Sequence, residues 1–544
     1  MHEEDDIAFT GPDPRVTQSA ADYLHLYQRY AEGRLAEEVF RRLRIAYGVH
    51  HQRPPGDRYM VRVKIPYGIA TAHQWRILAR AADDYHSPLH LTTRQAVELH
   101  NLSLADTPAL VVALGRAGLT TCDAGGNGLR NVTACPLAGS CSWQVFNPVP
   151  VVRNFVREHL DLGITTSLPR KVKMGISGCA QDCLGVRSQD IGLVACWRGD
   201  QPGFRIYVGG GIGSALQAGA LFAEFVPAER MGTVVDAILT VYCQIGERQN
   251  RHHARLKWLV AELGIETLQR LVAIQLEVPT EETGFTSPPA ATTTACGSAH
   301  LEDGGDPSRF PTLPPVWVRR RVAVQRNGQW AIRIPVTGGT VLPSQVLNLV
   351  QITENYGTGI LSITTAQEFV IRNVKASVVP LVYAELQESQ SDGVATRPAI
   401  ISCAGSPFCN VALTRSQDLA KVLQKTLTVD PGCESPPAIP PLTIRIAGCP
   451  HSCSHARVAP LGLIGGALQI KNLGVMVPAY TLWVGGSETQ EYMTPGVAVA
   501  RIPARHVPEA IRRIVHAYVN ERLPEEGFAL WARRRWQITE EESE

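Results

Sequence analysis

Charge is scarce in this chain and almost balanced. Charged residues make up 19% of its 544 residues, and Lys+Arg 52 against Asp+Glu 50 leaves a net charge of +2. An ordinary soluble protein has roughly 25% charged residues. No basic block is long enough to neutralise a run of nucleic-acid phosphates, so nucleic acid is not an expected partner. No apolar run approaches the roughly 20 residues that a bilayer requires. The start, Met1-His-Glu-Glu-Asp-Asp, is acidic where a signal or transit peptide would be basic, so a cytoplasmic location without membrane insertion is expected. Hydrophobic residues at 44% exclude disorder over the bulk of the chain. At roughly 150 residues per domain, the length predicts three or four units. No dinucleotide fingerprint is evident: after Gly209-Gly210-Gly211, a G-x-G-x-x-G would need glycine where Ser214 stands.

Cysteine is not scarce. Thirteen is an odd and high number for a chain without a secretion signal, which fits thiolate ligands better than a disulfide framework. Four read Cys135-Pro-Leu-Ala-Gly-Ser-Cys141 and Cys179-Ala-Gln-Asp-Cys183; four more read Cys403-Ala-Gly-Ser-Pro-Phe-Cys409 and Cys449-Pro-His-Ser-Cys453. Each second-half cysteine follows its first-half counterpart by 268 or 270 residues, an internal duplication over about half the chain. Four soft anionic sulfurs in two short turns suit iron or zinc. Structural zinc favours ligand pairs with two to four intervening residues, whereas one arm here has five. Cys122, Cys196, Cys243, Cys296 and Cys433 lack such partners and read as ordinary thiols.

The duplication extends beyond the cysteines. Val61-Arg62-Val63-Lys64-Ile65-Pro66 alternates like a strand, precedes a helical pattern around Trp75 to Ala82, and is followed by Leu89 to Leu91 and Thr92-Thr93-Arg94-Gln95. In the second half the same order runs through Trp330 to Pro335, Gln345 to Ile352 and Ile363-Thr364-Thr365-Ala366-Gln367. Helices are expected within Val226 to Leu276 and Val507 to Arg535. The resulting fold class is α+β, a pseudo-twofold duplicated chain. The expected divisions are a helical N-terminal extension over 1–57, a half-domain over 58–120, a cysteine domain over 121–280, a Thr/Ser/Pro-rich linker over 281–315, a half-domain over 316–390 and a second cysteine domain over 391–544.

On these residues the sequence resembles the siroheme-dependent nitrite and sulfite reductase family, over nearly the whole chain from Arg62 onward. The resemblance implies two ferredoxin-like half-domains and two α/β domains that cradle a siroheme coupled to a [4Fe-4S] cluster. It implies that Cys403, Cys409, Cys449 and Cys453 bind the cluster, with Cys453 shared with the siroheme. It places Arg62, Arg130, Lys171 and Lys173 around the substrate, and Thr93, Arg94 and Gln95 in the turn that holds siroheme carboxylates. Charge chemistry agrees with such roles, since an oxyanion needs fixed positive groups and protons as its oxygens leave as water.

Within the resemblance, Lys173 stands where nitrite reductases tend to have asparagine, which favours six-electron reduction of sulfite to sulfide over reduction of nitrite to ammonium. A further reading within the resemblance is a corrinoid-pathway oxygenase of the same fold, against which Lys171 and Lys173 argue for an anion substrate. A reading of another class is a non-catalytic Fe-S electron-transfer subunit. With no flavin or nicotinamide domain evident, a ferredoxin or a separate reductase subunit is the implied donor, and Arg533-Arg534-Arg535 is a candidate docking patch. The complete first-half set Cys135, Cys141, Cys179 and Cys183 departs from the family pattern and implies a second centre. Aligned on cysteines and strands, Arg62 corresponds to Ala331, Arg94 to Ala366, Lys171 to Pro441 and Lys173 to Thr443, with only Arg397 near the place of Arg130. One catalytic centre is therefore expected, on the second-half cysteines. His451 and His455 are candidates to tune that cluster by hydrogen bonding.

Overall fold

Alternation decides the first sheet. In Tyr59–Lys64 and Ala96–Leu102 the side chains of Val61, Val63, Val97 and Leu99 are buried in a core. With a side-chain period of two, Arg62, Lys64, Glu98 and His100 lie on the opposite face. The helix Ala72–Asp84 covers the apolar face with Trp75, Leu78, Ala79 and Ala82, and starts at a capping box in which Thr71 and Gln74 satisfy each other's backbone donors. The computed structural model describes residues 11, 13–53, 56–160, 167–213, 215–279, 283–285, 305–389, 398–406, 408–427, 439–470, 474–488 and 493–538.

Four five-stranded sheets form the mixed α+β body. Two are antiparallel and exchange strands. The first runs in the order Val49–His51, Tyr59–Lys64, Ala96–Leu102, Leu89–Leu91 and Thr340–Val341. The second runs Val322–Val324, Trp330–Pro335, Glu368–Val374, Ile360–Ile363 and Ile69–Thr71. Each half thus supplies the last strand of the other half's sheet, and the Trp75 indole donates to the Leu361 carbonyl at 2.8 Å across the seam. Residues of both sheets share one hydrophobic core.

The exchange requires a sharp turn after each long strand. Tyr67 and Gly68 take φ of 44° and 76°, and Gly338 and Gly339 take 65° and 75°. A Cβ on Gly68 would collide with the Ile363 carbonyl and the Gln95 amide, and one on Gly339 with the Leu91 carbonyl and the Gln367 amide. Glycine meets both the left-handed backbone and the close approach.

The other two sheets carry the cysteines. Thr133–Ala134, Met174–Ser177 and Ile191–Arg198 are parallel, and Gln201–Val208 and Ala220–Pro227 extend them antiparallel. Ala399–Ser402, Thr443–Ala447 and Leu461–Ile470 repeat the parallel set, extended by Val475–Val484 and Val497–Pro503. Helices Met231–Ile245, Leu256–Leu263 and Ile265–Gln275 belong to the first unit, and Val507–Glu521 and Phe528–Arg535 pack on the second.

The N-terminal segment is more than a helical extension. Besides helices Pro14–Ala31 and Glu37–Ala46 it contributes the edge strand Val49–His51, and Tyr23 bonds Thr107 at 2.7 Å. The ends of the expected linker also pack: Phe285, Phe310 and Leu313 are buried. Residues 286–304 of that linker, with Cys296, lie outside the described residues, as do Cys433, Ser214 and Arg397. Cys122 and Cys196 are buried and Cys243 half-buried. Among the described residues no helix is long and apolar enough to cross a membrane.

Candidate active site

Both cysteine sets leave the C-terminal ends of parallel strands, the edge where open α/β sheets place ligands. Cys403 directly follows Ala399–Ser402, and Cys449 lies two residues beyond Thr443–Ala447. The Cys403 sulfur accepts from the Gly448 amide at 3.1 Å, and Cys449 lies 3.5 Å from His451 Nδ1. Burial pushes the Cys403 thiol up to about 12 and the Cys449 thiol up to about 11. These groups become thiolates when a metal displaces their protons. None of the described cysteines is in a disulfide.

A cavity of about 370 Å³ lies between the second-half cysteines and the polar face of the first antiparallel sheet. Cys403, Cys409, Cys449 and Cys453 line one wall, and Arg62, Arg130, Lys171 and Lys173 line another. Residues 230 or more positions apart in the chain thus meet at one site. Arg62 is oriented by Glu98 through bonds of 2.8 and 2.7 Å and by the Ala124 carbonyl at 2.8 Å. Arg130 donates to the carbonyls of Asp123 at 2.9 Å and Gly126 at 2.6 Å. The ammonium groups of Lys171 and Lys173 have no hydrogen-bond partner among the described residues. Burial, with Arg130 next, lowers Lys171 to about 8; burial, with Arg94 next, lowers Lys173 well below the usual lysine range.

The Thr93 to Gln95 turn divides its tasks. Thr93 Oγ1 donates to the Cys453 carbonyl at 2.8 Å, and Arg94 lines the cavity while donating to Gln189 Oε1 at 2.6 Å. Gln95 is fully buried behind the turn and is not among the residues that line the cavity. Its buried amide donates to the Ala134 and Ile363 carbonyls, both at 2.9 Å, and accepts from the Ala134 amide at 3.0 Å. Gln367 does the same between Leu91 and Ser402. These two glutamines lock the strand exchange.

Several wall residues were not anticipated. His50, Lys64, His90, Glu98, His100 and Asn131 also face the cavity. The signal for three of them was the alternation itself, since Lys64 shares a face with Arg62, and Glu98 and His100 alternate with Val97 and Leu99. Burial lowers His100 to about 3 and lowers His50 and His90. Burial works against the Glu98 carboxylate, but Arg62 with His100 and His90 outweighs it and holds Glu98 at about 2. Asn131 Oδ1 and His50 Nε2 are buried without a hydrogen bond. Thiolates beside a cation-rich wall with polar atoms to spare fit an iron-sulfur cluster together with a macrocycle rich in carboxylates.

The duplicated turn corrects one correspondence. Tyr67-Gly68 superposes in backbone role on Gly338-Gly339, so Arg62 matches Arg333, not Ala331. Arg333 pairs with Glu368 at 2.8 Å as Arg62 does with Glu98. Both arginines line a cavity, and that of Arg333 is about 340 Å³, beside Cys141, Cys179 and Cys183. The candidate docking patch is used internally: Arg533 donates to the Gly485 carbonyl at 2.9 Å, Arg534 pairs with Glu526 at 2.7 Å, and Arg535 pairs with Glu521.

Comparison with known proteins agrees with this architecture. The pattern of the nitrite and sulphite reductase 4Fe-4S domain matches residues 125–280, and that of the nitrite/sulfite reductase ferredoxin-like half domain matches 50–117 and 323–389, together over half of the chain. The chain belongs to the siroheme-dependent nitrite and sulfite reductase family. It is 28% identical to an assimilatory ferredoxin-dependent nitrite reductase of Haloferax mediterranei, over 89% of this chain and 83% of that one. It is 26% identical to a ferredoxin–nitrite reductase of Synechococcus elongatus (85% and 86%) and to a sulfite reductase [ferredoxin] of Mycolicibacterium paratuberculosis (88% and 82%). The fold matches the Mycobacterium tuberculosis NirA protein with a TM-score of 0.80 at 21% identity, over 96% of this chain and 94% of that one. As a member of the family, the chain is an oxidoreductase whose cofactors are siroheme and a [4Fe-4S] cluster.

Proposed function

We propose that this chain reduces sulfite to sulfide in the cavity between the first antiparallel sheet and Cys453. The observation that carries the reading is the pair Lys171 and Lys173, two ammonium groups that have no hydrogen-bond partner among the described residues and line the same cavity as the four second-half cysteines. In this reading Cys403, Cys409, Cys449 and Cys453 would hold the cluster next to the siroheme, and Thr93 fixes the Cys453 loop. Arg94 pairs with a siroheme carboxylate. The siroheme, when bound, supplies the iron that takes the substrate and passes it electrons. Arg62 and Arg130, held by Glu98 and by backbone carbonyls, fix an anion against the wall. Lys171 and Lys173 donate protons as sulfite oxygens leave as water. Three departing oxygens make a larger demand on cationic donors than the two of nitrite, and Lys173 meets it.

Nitrite is the second reading, supported by the names of the Haloferax and Synechococcus relatives. The same names support a ferredoxin as electron donor. Steady-state turnover with reduced methyl viologen, run in parallel on sulfite and nitrite, separates the two. Sulfite is expected to have the higher kcat/KM, and Lys173→Asn to move the ratio toward nitrite by about tenfold, roughly 1.4 kcal/mol. A higher kcat/KM for nitrite in the unaltered chain, with no shift in Lys173→Asn, establishes the nitrite reading.

A further inference from the structure

The first-half cysteines are built as carefully as the second-half set. Cys135 directly follows Thr133–Ala134, and Cys179 lies two residues beyond Met174–Ser177, as in the other half. The turn after Cys179 places Asp182 and Gly185 at φ of 44° and 59°; the turn after Cys449 places Ser452 and His455 at 49° and 63°. Cys141, Cys179 and Cys183 line one cavity together with Pro136 and Leu137 beside Cys135, and the Cys135 thiol is near enough to those of Cys141 and Cys183 to interact with them. The loop between Cys135 and Cys141 is braced from the other half: Arg372, fully buried, donates to the Ala138 carbonyl and to Ser140 Oγ, both at 2.8 Å. Such bracing orders thiols that no disulfide joins.

The wall opposite is what differs. At the positions of Lys64, Arg94, Glu98, Lys171 and Lys173 stand Pro335, Ala366, Val370, Pro441 and Thr443. Arg333 keeps its place but is paired with Glu368, Arg445 donates to the Ser454 carbonyl at 3.2 Å, and His455, Leu137, Trp143 and Ile401 also line the cavity. Among the described residues a macrocycle bearing many carboxylates would meet two arginines there, both engaged by protein groups, and burying its remaining carboxylates without partners is costly. An iron-sulfur cluster needs only its thiolates and a low-polarity surround.

We propose that Cys135, Cys141, Cys179 and Cys183 hold a second [4Fe-4S] cluster, with no siroheme beside it. It neighbours the catalytic centre, because Thr93 lines this cavity as well as the other and also bonds the Cys453 carbonyl. The proposal rests on the reading of the second-half set as the siroheme-coupled cluster.

The test counts cluster iron, acid-labile sulfide and extracted siroheme on one anaerobic sample of the holoenzyme. About eight cluster irons and one siroheme per chain are expected, and the double variant Cys135→Ser/Cys141→Ser should lose about half of the cluster iron and keep its siroheme. About four cluster irons in the unaltered chain, or two sirohemes, overturns the proposal. Should the double variant fail to fold, Mössbauer spectra of the iron-57-labelled unaltered chain decide: two cluster populations of equal area are expected, and a single one refutes the second site. Cluster iron without any siroheme would instead mark failure of the parent reading.

Discussion

At Glu98 a buried carboxylate faces one guanidinium and two imidazoles, and its side chain is only 6% exposed. Its proton affinity falls from an ordinary 4.5 to about 2 on folding. A carboxyl depressed in the folded state adds stability above its unfolded value, and this is lost as pH falls toward 2. At 1.36 kcal/mol per unit the contribution is of order 3 kcal/mol. Glu98→Gln is expected to flatten the fall in urea-unfolding free energy between about pH 5 and pH 3, and to lower stability at pH 7 by about 2–4 kcal/mol because Arg62 loses its partner. Equal slopes in the variant and the unaltered chain would count against this role. The residue scale was partly legible in advance. Basic residues and cysteines announce themselves by type and spacing, whereas His50, His90 and Asn131 come to the cavity only through strand pairing and strand exchange. Gln95 reads like a third ligand because it is a turn residue beside Thr93 and Arg94, while in the fold its amide bonds the Ala134 and Ile363 carbonyls.

Among the elements, the two glycine turns decide how the halves join. Gly68→Ala introduces a Cβ at φ +76° against the Ile363 carbonyl and the Gln95 amide. The variant is expected to be destabilised by about 2–4 kcal/mol in chemical denaturation, with siroheme content reduced because Gln95 anchors Ala134 and Asn131 anchors the Arg94 carbonyl. Alanine at Gly33, where nothing lies within 4 Å but φ is +70°, is the control for backbone strain alone. If both variants lose the same stability, the close approach at Gly68 has no energetic weight. The strands and helices around these turns follow from hydrophobic periodicity, and the two halves could be matched by eye. The offset of Arg62 could not, because Trp330 to Pro335 alternates like Val61 to Pro66 in more than one register, and only the paired positive φ values fix it.

Over the whole molecule, the strand exchange makes each antiparallel sheet incomplete without the other half. Thr340–Val341 closes the first sheet and Ile69–Thr71 the second, over one shared core. Urea unfolding of this part should therefore show one cooperative transition by far-UV circular dichroism and tryptophan fluorescence. Two well-separated steps assignable to the two halves would contradict the shared core. Such an exchange has no signature in composition or spacing, since a three-residue edge strand reads the same whichever sheet receives it.

The same exchange sets first-half cations against second-half thiols, and that juxtaposition is the central claim. It is tested most directly by turnover of sulfite and nitrite by Lys171→Met/Lys173→Met, with iron and siroheme measured on the same preparation. kcat/KM is expected to fall by at least about 100-fold on both anions, nearly 3 kcal/mol, while cluster iron and siroheme stay at the level of the unaltered chain. Turnover within about twofold of the unaltered chain, at equal cofactor content, would place the reaction elsewhere.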